Sequence, residues 1–242
     1  MPRLDTYLFE NGFAASRSLA AKLVKGGYVT LNGDVCRKPG TPVEEGADLQ
    51  ICESPLTRYV SRGGLKLEAA LNAWGVLTPD MVCADIGAST GGFTDCLLQH
   101  GAGKVFAIDS GSGQLHSALR ENRNVVSLEN VNARFLDEGM IGKVDLVVMD
   151  VSFISQTLLY PAVTKVLKKG GYFISLVKPQ FEVGRENVGS GGIVRSEKAR
   201  KDCLDVIAVK SEKYGLVLKD VIPSPITGGD GNTEYLALFF YP

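Results

Sequence analysis

The apolar positions divide the chain into two stretches with different periods. In the first sixty residues the pattern changes quickly. Leu4, Leu8 and Phe9 have helical spacing, and Asn11-Gly12 stops that helix. Ser16 is placed to cap a second helix, whose apolar stripe is Leu19, Leu23 and Val24 and whose end is Gly26-Gly27. Residues 28–31 read as a strand, Asn32-Gly33 as a tight hairpin turn, and Val35-Cys36 and 48–52 as further short β segments. This predicts a small α+β module.

Pro55 and Thr57-Arg58 mark a short linker. Ser61-Arg62-Gly63-Gly64 then leads into a helix containing Leu65, Leu67, Ala69, Ala70 and Leu71. After Pro79, apolar runs of strand length alternate with helical segments, at 82–86, 105–108, 125–128, 146–149, 172–177, 216–222 and 235–240. Such alternation predicts an α/β, Rossmann-like domain with a mostly parallel seven-stranded sheet covered on both faces. The expected domains are 1–58 and 59–242, with 59–80 as linker and leading helix. In such folds ligands bind beyond the carboxyl ends of the strands, so the residues there carry the candidate chemistry.

Composition changes little in this picture. The chain has 242 residues, 45% hydrophobic and 22% charged, as in globular proteins generally. No stretch approaches the ~18–20 apolar residues of a membrane span, and the start, Met1-Pro2-Arg3-Leu4-Asp5, lacks the apolar run of a signal peptide. A cytoplasmic protein with no membrane partner is expected. Cys36, Cys52, Cys83, Cys96 and Cys203 are scattered with no Cys-x-x-Cys pair, and His100 and His116 are the only histidines, so neither a disulfide framework nor a metal site is expected. The net charge of −1 hides a segregation. Residues 1–40 hold Arg3, Arg17, Lys22, Lys25, Arg37 and Lys38 against Asp5, Glu10 and Asp34. Residues 44–53 hold Glu44, Glu45, Asp48 and Glu53 with no basic residue.

The first strand of the large domain runs into Asp85-Ile86-Gly87-Ala88-Ser89-Thr90-Gly91-Gly92-Phe93, a strand, a glycine-rich turn and a helix. Glycines let a backbone approach a ligand closely. The turn lacks the Gly-Lys-Ser/Thr of a P-loop and the Gly-x-Gly-x-x-Gly of a dinucleotide site. Asp109 ends the second strand, where a carboxylate can accept from a ribose diol. Together they point to a nucleoside cofactor, a purely structural turn being the alternative. The expected cofactor residues are Asp85, Gly87, Ser89, Thr90, Gly91, Gly92, Phe93 and Asp109, with Asn132 towards a base and Asp150 near the reacting group. The glycine-rich segment 184–195 reads either as a mobile loop by the active site that clamps substrate or as a flexible connection.

The fourth strand ends in Met149-Asp150-Val151-Ser152-Phe153, without the Asn/Asp-Pro-Pro-Tyr of amino methyltransferases, and no cysteine follows a proline as in pyrimidine C5 enzymes. The fifth ends in Val177-Lys178-Pro179-Gln180-Phe181, a lysine leaving a core strand. Lys66, Asp150, Lys178 and Glu234, in that order, resemble the Lys-Asp-Lys-Glu tetrad of FtsJ-type RNA 2′-O-methyltransferases. Arg3-Leu4-Asp5, Ser16-Arg17, Ala20, Leu23, Gly27, Val29, Asn32-Gly33 and Lys38-Pro39 resemble the S4 RNA-binding domain.

Nearly end to end, the chain resembles the TlyA (hemolysin A-like) family, with Ser112 where a tyrosine often stands. The resemblance implies S-adenosylmethionine as cofactor, ribosomal RNA or a ribosomal subunit as partner, and cytidine ribose as acceptor. It implies phosphate contacts by Arg3, Arg17, Lys22, Lys25, Arg37 and Lys38, unless these form only a solvated basic face. Arg62, Arg185 and Arg195 would contact RNA on the large domain. In this reading Lys178 orients the 2′-hydroxyl and assists its deprotonation. Lys66 would lower the proton affinity of Lys178 by repulsion, and Asp150 and Glu234 would raise it. Two other readings stand beside it: a non-catalytic RNA-binding assembly factor on a methyltransferase fold, against which the intact tetrad argues, and the membrane-active protein that the family name records, for which no amphipathic cationic helix is evident.

Overall fold

A computed structural model describes residues 1–14, 16–52, 54 and 57–242. Glu53 of the acidic run and Pro55 of the expected linker lie outside the described residues. The chain divides into two compact units, Met1–Tyr59 and Val60–Pro242.

In the first unit, helices α1 (Leu4–Glu10) and α2 (Arg17–Gly26) pack on strands β1 (Val29–Leu31), β2 (Asp34–Cys36) and β3 (Leu49–Ile51), in sheet order β2-β1-β3. Ser16 caps α2 by accepting from the Leu19 amide at 3.1 Å. Asn32 and Gly33 both have positive φ, 53° and 86°, and the register Leu31↔Asp34 leaves them as a two-residue hairpin loop. Leu4, Leu8, Ala20, Leu23, Val24 and Val29 form the core. Phe9 is 47% exposed, because Leu4 and Leu8 already occupy the inner face of this short helix.

The core also buries a charge. Asp5 accepts two hydrogen bonds from Arg3, at 3.1 and 3.0 Å, and pairs with Arg17 at 3.5 Å. The bidentate Arg3 contact, joined by the Arg17 charge, lowers the Asp5 carboxyl to about 2. An acid held below its ordinary value of 3.8 stabilises the fold above that value and loses the contribution as pH falls through the folded value. Asp5→Asn is therefore expected to melt below wild type at pH 7. The gap should close between pH ~4 and ~2, read as the difference in melting temperature by circular dichroism.

The second unit is built on a seven-stranded sheet, β4 (Val82–Ile86), β5 (Lys104–Ile108), β6 (Val125–Leu128), β7 (Val144–Met149), β8 (Leu167–Val177), β9 (Val217–Pro223) and β10 (Tyr235–Tyr241), in order β6-β5-β4-β7-β8-β10-β9. Only β10 runs against its neighbours. The helices are α3 (Gly63–Trp74), α4 (Gly92–Gln99), α5 (Ser117–Arg120), α6 (Glu138–Ile141), α7 (Tyr160–Val166), α8 (Pro179–Glu182) and α9 (Glu197–Glu212). One set of alternate strand residues, including Ala84, Ile108, Val147, Phe173 and Phe239, packs with Tyr160, Val163, Cys203 and Ile207 from α7 and α9. The intervening residues Cys83, Val105, Leu146, Val148 and Ile174 are buried too. Burial on both faces explains why the central strands read as continuous apolar runs. Strand β8 begins five residues before the expected 172. Leu167 pairs with Val144, and the Lys168–Gly171 stretch is taken up in an irregularity before Leu146↔Tyr172.

The register aligns the chemistry. Ile86 pairs with Ile108 and Met149, and Met149 with Ser175, so Gly87, Asp109, Asp150 and Lys178 leave the sheet at one edge. The reversed β10 starts at that edge, with Tyr235 opposite Val177, which sets Glu234 there as well.

Candidate active site

Two cavities meet at the carboxyl edge of the sheet. Gly87, Ser89, Asp150 and Ser152 border both. The first, 280 Å³, is lined by Ser61, Arg62, Lys66, Thr90, Gly92, Phe93 and Lys178 besides the shared residues. The second, 410 Å³, has Asp109, Ser110, Gln114 and Asn132 on its polar side and Ile108, Val131, Val151 and Leu159 among its apolar walls.

The glycine turn shapes their junction. Gly87 has φ +85°, and a β-carbon there would collide with the Asp150 carbonyl. Glycine thus lets β4 and β7 exit side by side. A β-carbon on Gly92 would stand 3.0 Å from the Gly64 amide nitrogen and 3.2 Å from the Gly63 Cα. The absence of a side chain at Gly92, facing Gly63-Gly64, therefore lets α3 and α4 start in contact, and that contact brings Lys66 alongside the turn. Asp109 braces the turn from the next strand, accepting from the Ser89 and Gly111 amides at 2.7 Å each. Ser89 stays in a left-handed conformation, φ 48°, and its hydroxyl donates to Gln114 at 3.1 Å.

Lys66, Asp150, Lys178 and Glu234 form two pairs at this edge. Lys66 contacts Glu234 at 2.6 Å, with 8% and 3% of their surfaces exposed. Lys178 contacts Asp150 at 2.6 Å and donates to the Ser152 hydroxyl at 2.8 Å. An ammonium has three N–H donors. The Ser152 bond uses one of them; the Asp150 contact is an ion pair in which Oδ1 has no hydrogen-bond partner among the described residues, so Lys178 keeps N–H capacity for a hydroxyl in the cavity.

The structure separates the expected cofactor residues. Gly87, Ser89, Thr90, Gly92, Phe93, Asp109, Asn132 and Asp150 border the cavities. Asp85 does not. It is fully buried below the turn, where Thr94 donates to Oδ2 at 2.7 Å, and Oδ1 has no hydrogen-bond partner among the described residues. Burial raises its carboxyl to about 7. Gly91 borders neither cavity: at φ +97° it turns the chain into α4, and a β-carbon would run into Leu115 and Leu119. Its glycine is a packing requirement.

Arg62 borders the first cavity, and Arg185 and Arg195 are exposed on the 184–195 segment. The end of that segment is anchored at two points. Asn232, 1% exposed, accepts from the Val194 amide and donates to the Gly192 carbonyl, each at 2.9 Å. In the first unit, Arg3, Arg17, Lys22, Lys25, Arg37 and Lys38 are all exposed.

Sequence reading missed Ser61, Gln114 and Ser152, which are common residue types without a local signature. It also passed over Phe153, which is 92% exposed at φ 65° and packs its ring 5.3 Å from that of Phe181. A positive φ on a non-glycine residue is uncommon and no periodicity encodes it.

The strand order, the glycine turn and the acidic residue after the second strand define a Rossmann-like methyltransferase fold. The FtsJ-like methyltransferase family model matches residues 59–241, and the S4 domain model matches residues 2–49. Among similar proteins is the putative rRNA methyltransferase YqxC of Bacillus subtilis, 43% identical across 99% of this chain and 86% of the relative. The 16S/23S rRNA (cytidine-2′-O)-methyltransferase TlyA of Mycobacterium tuberculosis is 42% identical across 96% and 87%. A solved putative hemolysin from Streptococcus thermophilus superposes with a TM-score of 0.76, at 42% identity over 98% of this chain and 87% of that one. The chain belongs to the FtsJ-like methyltransferase family, among its TlyA (hemolysin A-like) members. Among the described residues no helix is long and apolar enough to cross a membrane.

Proposed function

We propose that this protein transfers a methyl group from S-adenosylmethionine to a ribose 2′-hydroxyl of ribosomal RNA, at cytidine. One observation carries the reading: Lys178, paired with Asp150, shares a cavity with Lys66, paired with Glu234, directly beside the glycine turn. Family membership and the rRNA (cytidine-2′-O)-methyltransferase relative support the acceptor.

The second cavity fits the nucleoside end of the cofactor. Asp109 offers a carboxylate to a ribose diol, the walls Ile108, Val131, Val151 and Leu159 suit a flat heterocycle, and Asn132 offers an amide beside them. Gly87, Ser89 and Asp150 then stand between the nucleoside and the acceptor. Bound there, S-adenosylmethionine supplies an electrophilic methyl group on a sulfonium. The remaining work falls to the chain. Lys178 directs its free N–H at the ribose oxygen, orients it in line and stabilises the negative charge that develops as it attacks. Asp150, in contact with Lys178, holds the ammonium in place and offers a carboxylate to the departing proton. Phe153, exposed at the rim, provides an aromatic face for the base of the acceptor nucleotide. The exposed cations of the first unit and Arg62, Arg185 and Arg195 supply phosphate contacts.

The test is tritiated methyl transfer to ribosomal RNA and to isolated subunits, followed by nuclease digestion to map the labelled nucleoside. Label on cytidine 2′-oxygen is expected. Label on a base, or no transfer despite cofactor binding, overturns the reading, and the second result would favour a non-catalytic RNA-binding factor. Asp109→Ala should weaken cofactor binding by about 10- to 100-fold, since it removes charge-assisted bonds to the ligand and the brace on Ser89. Isothermal titration measures the loss.

A further inference from the structure

Lys178-Pro179-Gln180-Phe181-Glu182 continues past the lysine into α8, and the chemistry above uses only its first residue. The remainder faces the loop after β7. Glu182 Oε2 accepts from the Ser155 hydroxyl at 2.7 Å, and Oε1 accepts from the Gln156 amide at 2.8 Å. Phe181 packs against Phe153. Gln156, buried, accepts a hydrogen bond from Ser175 of β8. The loop that carries Asp150, Ser152 and Phe153 is thus fastened to β8 and α8 on both sides of Lys178: at Ser175, three residues before it, and at Phe181 and Glu182, three and four after.

The burial of Glu182 has a cost, because it raises the carboxyl above its ordinary value. Two hydrogen bonds hold it there. Here it closes an exit from β7 in which Phe153 keeps an unfavourable positive φ. We propose that Glu182 is a positioning residue for the acceptor side of the site: its two acceptor oxygens fix the 152–156 loop against the Lys178 segment and so set the Lys178–Asp150–Ser152 geometry. The proposal rests on the methyltransferase reading of Lys178.

Glutamine tests the idea closely. Its carbonyl can accept from the Gln156 amide, and its NH₂ can donate to the Ser155 oxygen, whose own proton can turn to Thr157 Oγ1, 2.8 Å away. Neither bond needs the negative charge. Glu182→Ala is expected to lower the single-turnover rate of RNA methylation about 10- to 100-fold, the scale of an ångström-level misplacement. Cofactor affinity by titration should fall much less than the rate, since Ser152, Phe153 and Ile154 also border the second cavity; Glu182→Gln should recover most of the rate, and Ser155→Ala should give a smaller loss.

Hydrogen exchange supplies a readout independent of turnover. In Glu182→Ala, peptides spanning 150–157 should lose protection while those spanning 82–95 keep theirs, and Glu182→Gln should restore it. An alanine variant with wild-type rate and wild-type loop protection overturns the proposal. So does a glutamine variant as slow as alanine, or a loss of cofactor affinity equal to the loss of rate. If wild type itself fails to methylate RNA, the functional reading falls, and exchange at 150–157 still decides whether Glu182 fastens the loop.

Discussion

Lys178→Ala is expected to abolish methyl transfer while leaving S-adenosylmethionine affinity within a few-fold of wild type. Lys178 borders the first cavity and is absent from the lining of the second, where Asp109 and Asn132 stand. Its Nζ meets Asp150 and Ser152 and retains a donor for an incoming oxygen. A donor aimed at charge that appears only in the transition state acts on the chemical step and hardly on ground-state binding. Deleting one such donor typically costs about 10²–10³-fold. Lys178 also orients the hydroxyl, so the loss here should reach the upper end or exceed it. Single-turnover methylation with saturating cofactor reads the rate, and isothermal titration reads the affinity. Turnover within tenfold of wild type would remove Lys178 from the mechanism.

Lys66→Ala is expected to be costly in a second way, through stability. Glu234 is almost wholly buried and pairs with the Lys66 ammonium at 2.6 Å. Removing the lysine leaves a buried carboxylate uncompensated, a situation that costs about 3–5 kcal/mol. Removing both charges while keeping volume is much cheaper. Lys66→Met with Glu234→Gln should therefore recover most of the lost stability in urea unfolding and none of the methylation. A double variant no more stable than Lys66→Ala would show that the pair is held for reasons other than charge compensation. The two lysines are thus separable: one substitution disables a folded enzyme, the other also loosens it.

The two pairs illustrate what the primary structure makes legible. Local signals report local structure. Ser16 as a cap, Asn32-Gly33 as a hairpin turn and the seven apolar runs were readable because capping, turn geometry and strand burial each act within a few residues. The glycine turn and Asp109 were readable for a related reason: each follows directly from a strand end, and the rule that ligands sit beyond strand ends is topological. Lys66, Asp150, Lys178 and Glu234 could be named from a family resemblance. Their pairing could not be, because Lys66 and Glu234 stand 168 residues apart and no period links them.

Asp85 and Gly91 belong to the same lesson in reverse. Both lie inside the glycine-rich motif, yet one is turned beneath the sheet edge onto Thr94 and the other is reserved for the side chains of Leu115 and Leu119. The motif specified a turn without specifying which of its residues would face a ligand. The 184–195 segment, glycine-rich and so open to reading as mobile, is held by one buried asparagine about forty residues downstream.

Hydrophobic period and turn residues act locally, so the seven strands, their order and the residues at their ends could be read along the chain. Which of those residues pair was set by long-range packing. The reversal of β10 returns Glu234 to the edge where Lys178 leaves β8, glycine contacts between α3 and α4 bring Lys66 to the turn, and Glu182 fastens the Phe153 loop. Those choices depend on contacts between residues far apart in the chain, which form only once the sheet has assembled.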